Sequence, residues 1–191
     1  MKGADVLIAM STPGPGVIPK ELISTMADDS IIFACANPIP EVWPWEAREA
    51  GAKIVATGRS DFPNQVNNSL GFPGIFRGTL DVRAKMISDE ICIAAANELA
   101  DIAEETGIDE GRILPSMGDW DVFPREAAAV GAEAVNQGLT RLKPTRRELY
   151  EKAKMIIGHA RKSTDLLMRK GLIKPLPHSS ARSRARRKVV R

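Results

Sequence analysis

Histidine, cysteine and tyrosine are nearly missing from this chain, with two, two and one in 191 residues. His159 falls inside a helical pattern and His178 in the C-terminal tail, so neither has a catalytic or metal-binding companion nearby. That excludes a legible Ser-His-Asp arrangement and a metal cluster; both histidines read as packed or solvated side chains. Cys35 and Cys92 sit in apolar runs and read as small buried hydrophobes. With no secretory mark, no disulfide is expected. No apolar run is long enough to span a bilayer. Residues 1–10 contain Asp5 and lack a basic leader region and a cleavage-type end, so they read as a strand rather than a signal peptide. A cytoplasmic location is the expectation. A dinucleotide fingerprint is missing too. Gly14-Pro15-Gly16 follows the first apolar run, but proline stiffens the turn and no third glycine follows, so it reads as a strand–helix connection rather than a phosphate loop.

What remains is a globular composition, 43% hydrophobic and 27% charged. The net charge of +3 misrepresents the body of the chain. Residues 178–191, HSSARSRARRKVVR, hold six Lys or Arg and no acid; outside them 21 basic residues face 24 acidic ones. The basic character belongs to the tail. The tail has no aromatic interleaving, so a solvated terminus is expected and specific nucleic-acid binding is not.

The first half alternates strand and helix. ADVLIAM (Ala4 to Met10) reads as a buried strand, Pro19 to Met26 as a helix, SIIFACA (Ser30 to Ala36) as a strand, Pro44 to Ala50 as a short helix closed by Gly51, and KIVAT (Lys53 to Thr57) as a third strand. Such alternation predicts an α/β fold: part of a Rossmann-like parallel sheet with its strand ends on one edge. The second half is helical. Ser88 caps a run to about Thr106, Phe123 to Gln137 forms another, and Thr145 with Glu148 opens a third with capping-box spacing that ends at Gly171. Three regions follow: 1–86 with the strands, 87–173 as a helical extension packing on them, and 174–191 as a disordered basic tail.

The segment carrying most chemistry is GRSDFPNQVNNSLGFPGIFRGTLDVR, Gly58 to Arg83. Asn67 and Asn68 stand between the third strand and a Gly-rich helix start, and FACANPIPE (Phe33 to Glu41) delivers Asn37 at the end of the second strand. Carboxamides at two strand ends point to a ligand site at the carboxyl edge of the sheet. Gly71-Phe72-Pro73-Gly74 either offers backbone N–H groups to an anion or permits close packing. Arg59 and Asp61 either touch substrate or brace the loop as a pair. Trp43, Trp45 and Trp120 read as packing residues.

These motifs carry a resemblance. ADVLIAMSTPGPGVI, FACANPIPE, IVATGRSDFPNQVNNSLGFPGIFRGTLDVRA and ILPSMGDWDVFPREAAAVG closely resemble the C-terminal part of the small prokaryotic malic enzymes, over roughly Lys2 to Ile173. The resemblance implies oxidative decarboxylation of L-malate to pyruvate and CO2, with NAD or NADP as the nucleotide and Mg or Mn as the metal. It also implies that Asn37, Asn67 and Ser11 face the nucleotide and that Asn68 and Asn67 face malate.

The family's tyrosine acid, lysine base, Glu and Asp metal ligands and Gly-rich loop find no counterpart in these motifs. No catalytic residue and no metal ligand is therefore assigned to this sequence. The expectation is a C-terminal fragment that binds a complementary N-terminal fragment or forms a homo-oligomer, without activity alone. A non-catalytic module that binds such a fragment or a malic enzyme subunit is the alternative. In either case the first strand belongs inside a larger sheet, leaving an unpaired edge and apolar surface.

Overall fold

The computed structural model describes residues 1–174, so the disordered tail expected over 174–191, and His178 with it, lie almost entirely outside the described residues. Three four-residue strands, β1 (Val6–Ala9), β2 (Ile31–Ala34) and β3 (Ile54–Thr57), alternate with α1 (Lys20–Ile23) and α2 (Pro44–Glu49). The strands are parallel in the order β1-β2-β3, with Val6 opposite Ile31 and Ile31 opposite Ile54, so all three end on one edge. Four further helices follow: α3 (Phe72–Val82), α4 (Asp89–Thr106), α5 (Val122–Asn136) and α6 (Arg146–Arg169). Two compact units divide the chain, Met1–Ala153 and a second beginning at Lys154.

Strand periodicity decides what the sheet buries. Ile32, Ala34 and Val55 pack with Ile18, Ile23, Val42 and Ala47, so α1 and α2 cover one face. β1 departs from the expected buried strand: Leu7 and Ala9 pack on this core, while Val6 is 47% and Ile8 61% exposed. It lies at the sheet's end, where, among the described residues, only one side has a neighbouring strand.

Helix ends follow local chemistry. The Ser88 hydroxyl accepts the Ile91 N–H at 3.3 Å and starts α4. The Glu148 carboxylate accepts the Thr145 N–H at 2.7 Å while the Thr145 hydroxyl accepts the Glu148 N–H, the reciprocal arrangement expected at the start of α6. α1 is shorter than the predicted Pro19–Met26 helix. The Ser24 and Thr25 hydroxyls donate to the carbonyls of Lys20 and Leu22 and so compete with continued helix.

Glycine brings α3 against α5: a Cβ added at Gly78 would lie 2.4 Å from the Ala127 carbonyl oxygen. Val82, Ile91, Ala128, Val130, Ala134 and Leu149 form the core there. Buried acids fasten the first turns of α6. Asp81, 3% exposed, is shared by Arg77 and Lys152; Glu98, also 3% exposed, is shared by Arg125 and Arg146. Cys92 corrects the sequence reading, for it is exposed on α4 while Ile91 and Ala95 take the inner face; Cys35 is half-buried and both thiols are free.

Candidate functional site at the carboxyl edge of the sheet

Each strand end delivers a loop to the same edge, and one buried carboxylate ties two of them. Glu41, 0% exposed, accepts the Ser11 N–H at 2.8 Å and the Ser11 hydroxyl at 3.1 Å from the loop after β1. Its second oxygen accepts the Ala36 N–H at 3.0 Å after β2. Burial alone would push this carboxyl up, but the donated hydrogen bonds from Ser11 and Ala36 prevail and hold it below its ordinary value. Ser11 is thereby fixed at the edge, although both its N–H and its hydroxyl are spent on Glu41.

The asparagine segment continues the sheet for one bridge. The Thr57 N–H donates to the Asn64 carbonyl at 3.3 Å and the Val66 N–H to the Thr57 carbonyl at 2.8 Å, so the chain returns parallel to β3. Asn64 makes that return possible. Its backbone is left-handed at φ 56°. Its carboxamide donates to the carbonyls of Val55 and Glu110 and accepts the Ile113 N–H at 3.1 Å.

Asn67 is held in place by its own side chain. Its Nδ2 donates to the Gly58 carbonyl at 3.0 Å, and its Oδ1 accepts the Ser69 N–H at 2.9 Å. The side chain of Asn37 lies over the same glycine, where an added Cβ would be 3.0 Å from Asn37 Oδ1. Asn37 and Asn67 thus meet at Gly58, one beside it and one on its carbonyl. Asn68 and Asn37 are exposed, and neither makes a side-chain hydrogen bond among the described residues. The Phe72 N–H donates to the Asn68 carbonyl at 2.9 Å, which joins the pair directly to the first turn of α3.

Arg59 braces this loop. It holds both Asp61 oxygens, at 2.8 and 2.7 Å, and donates to the Pro38 carbonyl at 2.8 Å, across a cis Asn37–Pro38 peptide. Trp43 and Trp45 stack at 4.9 Å and Phe62 packs edge-on against both, so these tryptophans are packing residues as expected. A cavity of about 320 Å3 adjoins the segment, lined by Ser60, Gln65, Asn67, Ser69 and Arg112 among others.

Gly71 to Gly74 resolves its two open readings through Glu126, which is 0% exposed on α5. An added Cβ at Gly74 would lie 2.0 Å from Glu126 Oε2, and one at Gly71 3.6 Å from Oε1. Gly74 is there for close packing, whereas a Cβ at Gly71 would make only an ordinary contact, and the space beside the start of α3 is filled by the protein's own carboxyl group. Burial pushes that carboxyl up to about 8, opposed by the Gly74 N–H.

Sequence reasoning missed three of these residues. Glu41 and Asn64 lay within quoted motifs but look like ordinary loop polar groups. Glu126 had a signal: it falls in the stripe Val122, Glu126, Val130 and Ala134, all of them buried on α5. Among the described residues no group of three or more His, Cys, Asp or Glu could hold a metal ion. Gly14 and Gly16 have positive φ, but α1 behind them has only four residues, too short to present a phosphate site.

Comparison with known proteins identifies the family. Residues 2–135 match the family model "Malic enzyme, NAD binding domain". The chain is 48% identical over 153 residues to a bifunctional malic/malolactic enzyme of Bacillus subtilis, covering 80% of this chain and 37% of that protein. It is 44% identical over 156 residues to an NADP-dependent malic enzyme of Halomonas elongata, covering 36% of it. The crystal structure of Entamoeba histolytica malic enzyme superposes with a TM-score of 0.90 at 50% identity, covering 92% of this chain and 36% of that one. The chain therefore spans a little over a third of the length of these relatives. With that share of their length, this chain belongs to the malic enzyme family and matches its NAD-binding domain.

Proposed function

We propose that this chain supplies the part of a malic enzyme site that orients L-malate and the nicotinamide end of NAD or NADP during oxidative decarboxylation to pyruvate and CO2. The observation that carries the proposal is the meeting of Asn37 and Asn67 at Gly58, with the Asn68 carboxamide exposed beside them. Carboxamides donate and accept without charge, which suits a carboxylate, a ribose hydroxyl or the nicotinamide amide. Asn37 and Asn68 are free to turn toward ligand. Asn67 and Ser11 position the edge on the nucleotide side, since their strongest hydrogen bonds stay within the protein.

The nucleotide supplies the hydride acceptor when bound. Removing hydride from the malate alcohol also requires a base for its proton, and decarboxylation requires an acid and a cation. Asparagine cannot accept that proton, and the single tyrosine, Tyr150, donates to Asp121 at 2.6 Å in the helical layer. The base, acid and ligands for Mg or Mn therefore belong, in this proposal, to another polypeptide segment. Residues 1–86 carry the ligand edge, 87–173 the helical support, and the complex works in the cytoplasm.

The exposed edge of β1, with Val6, Ile8 and Met10 outward, favours association with a complementary segment or a second copy. It equally favours the second reading, a non-catalytic module that binds a malic enzyme subunit. Co-expression with the N-terminal portion of the Bacillus relative separates them. Malate-dependent NAD(P) reduction by the mixture, and none by the chain alone, supports the enzyme part. Binding without turnover supports the module, and ordinary turnover by the chain alone overturns both.

A further inference from the structure

The helical layer contains a buried acid that no partner explains. Glu126 is 0% exposed on α5, neither carboxyl oxygen has a full hydrogen bond, and the group that favours its charged form, the Gly74 N–H, is outweighed by burial. An unsatisfied carboxylate in such a place is strongly disfavoured, so the group is held as the neutral acid. Among the described residues its surroundings offer no cation. α3 presents Gly71 and Gly74 to it, and the nearest charges on α3, Arg77 and Asp81, are paired with each other. On its own helix Arg125 is held by Glu98 and Glu105 of α4, and Glu98 is also paired with Arg146 of α6.

What Glu126 touches is the start of the asparagine site. Its Oε2 occupies the place that a Cβ at Gly74 would fill, 2.0 Å away, so any other residue there would expel it. Gly71 caps the helix, and its carbonyl accepts the Ile75 N–H at 3.1 Å. One turn back, the Leu70 and Phe72 N–H groups donate to the Asn67 and Asn68 carbonyls at 3.0 and 2.9 Å. A displacement of the first turn of α3 is thereby passed to both asparagines through backbone hydrogen bonds.

We propose that Glu126, seated as a neutral acid in the Gly71–Gly74 notch, is the positioning residue that sets the first turn of α3 and so aims Asn67 and Asn68. It touches no ligand. The inference rests on the proposed role of those asparagines, and its test has an arm that does not.

The first arm is nuclear magnetic resonance of the full chain between pH 5 and pH 10. The Glu126 side-chain carboxyl carbon should titrate well above the ordinary carboxyl range. The Asn67 and Asn68 backbone and side-chain amides should shift with the same midpoint, and Glu126→Gln should abolish that step. Asparagine amides that ignore the Glu126 titration, or a carboxyl that titrates in the ordinary range, overturn the proposal whatever the enzyme does. The second arm uses the complemented enzyme. Glu126→Ala should lower kcat/KM by about one to two powers of ten, as expected for misplaced reacting groups. Glu126→Gln should restore it and remove the fall in kcat at alkaline pH. Equal activity in both variants overturns positioning. A complemented wild type without turnover counts against the proposed function alone, because the resonance arm still decides the role of Glu126.

Discussion

Two adjacent asparagines in this chain do different physical work. Asn67 spends its carboxamide on the Gly58 carbonyl and the Ser69 N–H, while Asn68 leaves its own in solvent. Asn67→Ala should cost about 1–3 kcal/mol, because a turn loses two hydrogen bonds. Asn68→Ala should stay within about 0.5 kcal/mol of wild type. Urea unfolding of the two variants checks the contrast; equal losses would show that Asn68 is also structural. Glu126 adds a pH dependence whose sign follows from its environment. Its folded value of about 8 lies above its ordinary 4.5, so the folded state binds the proton more tightly than the unfolded chain. The associated stabilisation is fully present below 4.5 and is lost as the pH rises toward 8, by about 1.4 kcal/mol per pH unit at most. Glu126→Gln should flatten that slope, leaving the variant more stable than wild type at pH 9. Unfolding midpoints at pH 5, 7 and 9 measure it.

At the scale of elements, the sheet edge and the helical layer are held by different means. Loops after β1 and β2 are joined by a single buried carboxylate, Glu41. Glu41→Ala would leave the Ser11 and Ala36 N–H groups without their acceptor, at a cost of about 2–4 kcal/mol. Its backbone donors hold the Glu41 carboxyl low, so this contribution is present above the ordinary carboxyl value and fades as acid protonates it. Loss of stability in Glu41→Ala at pH 7 checks the first statement, and convergence with wild type at low pH the second. Contact between α3 and α5 is set instead by absent side chains. An alanine at Gly78 would meet the Ala127 carbonyl at 2.4 Å and Val130 Cγ1 at 2.7 Å. Gly78→Ala should therefore destabilise by about 1–3 kcal/mol through overpacking, read as a lowered unfolding midpoint.

For the whole molecule the dominant feature is a sheet finished on one side only. β3 continues into the asparagine segment, whereas β1 has a single neighbour and exposes Val6, Ile8 and Met10, the last at 82%. A second apolar stripe runs along α3, where Phe72, Phe76 and Leu80 are 49%, 52% and 67% exposed. Surfaces of this kind drive association. The purified chain should therefore self-associate at micromolar concentration, and Ile8→Lys should shift it toward monomer without lowering its unfolding midpoint. Sedimentation velocity decides the matter: a monomeric wild type would show that the open edge is tolerated.

Much of this was legible in one dimension, because it rests on local rules. Short β-branched runs between Pro and Gly set three parallel strands, Ser88 and Thr145 set two helix starts, and the placement of Asn37, Asn67 and Asn68 after strands put carboxamides at one edge. The division of labour between Asn67 and Asn68 was not legible, since it depends on which carboxamide finds the Gly58 carbonyl nine or more residues away. Nor was the role of Glu41, whose three donors come from two separate loops. Cys92 was misread because an unbroken apolar run such as ICIAAA has no period, and only packing against α5 decides its inner face. Sequence alone determined the order of the elements and the presence of carboxamides at the sheet edge. Tertiary structure decided which polar groups remain exposed at that edge and which are spent inside the protein, because a buried polar group must find its partner in space, or, as at Glu126, favour its protonated form.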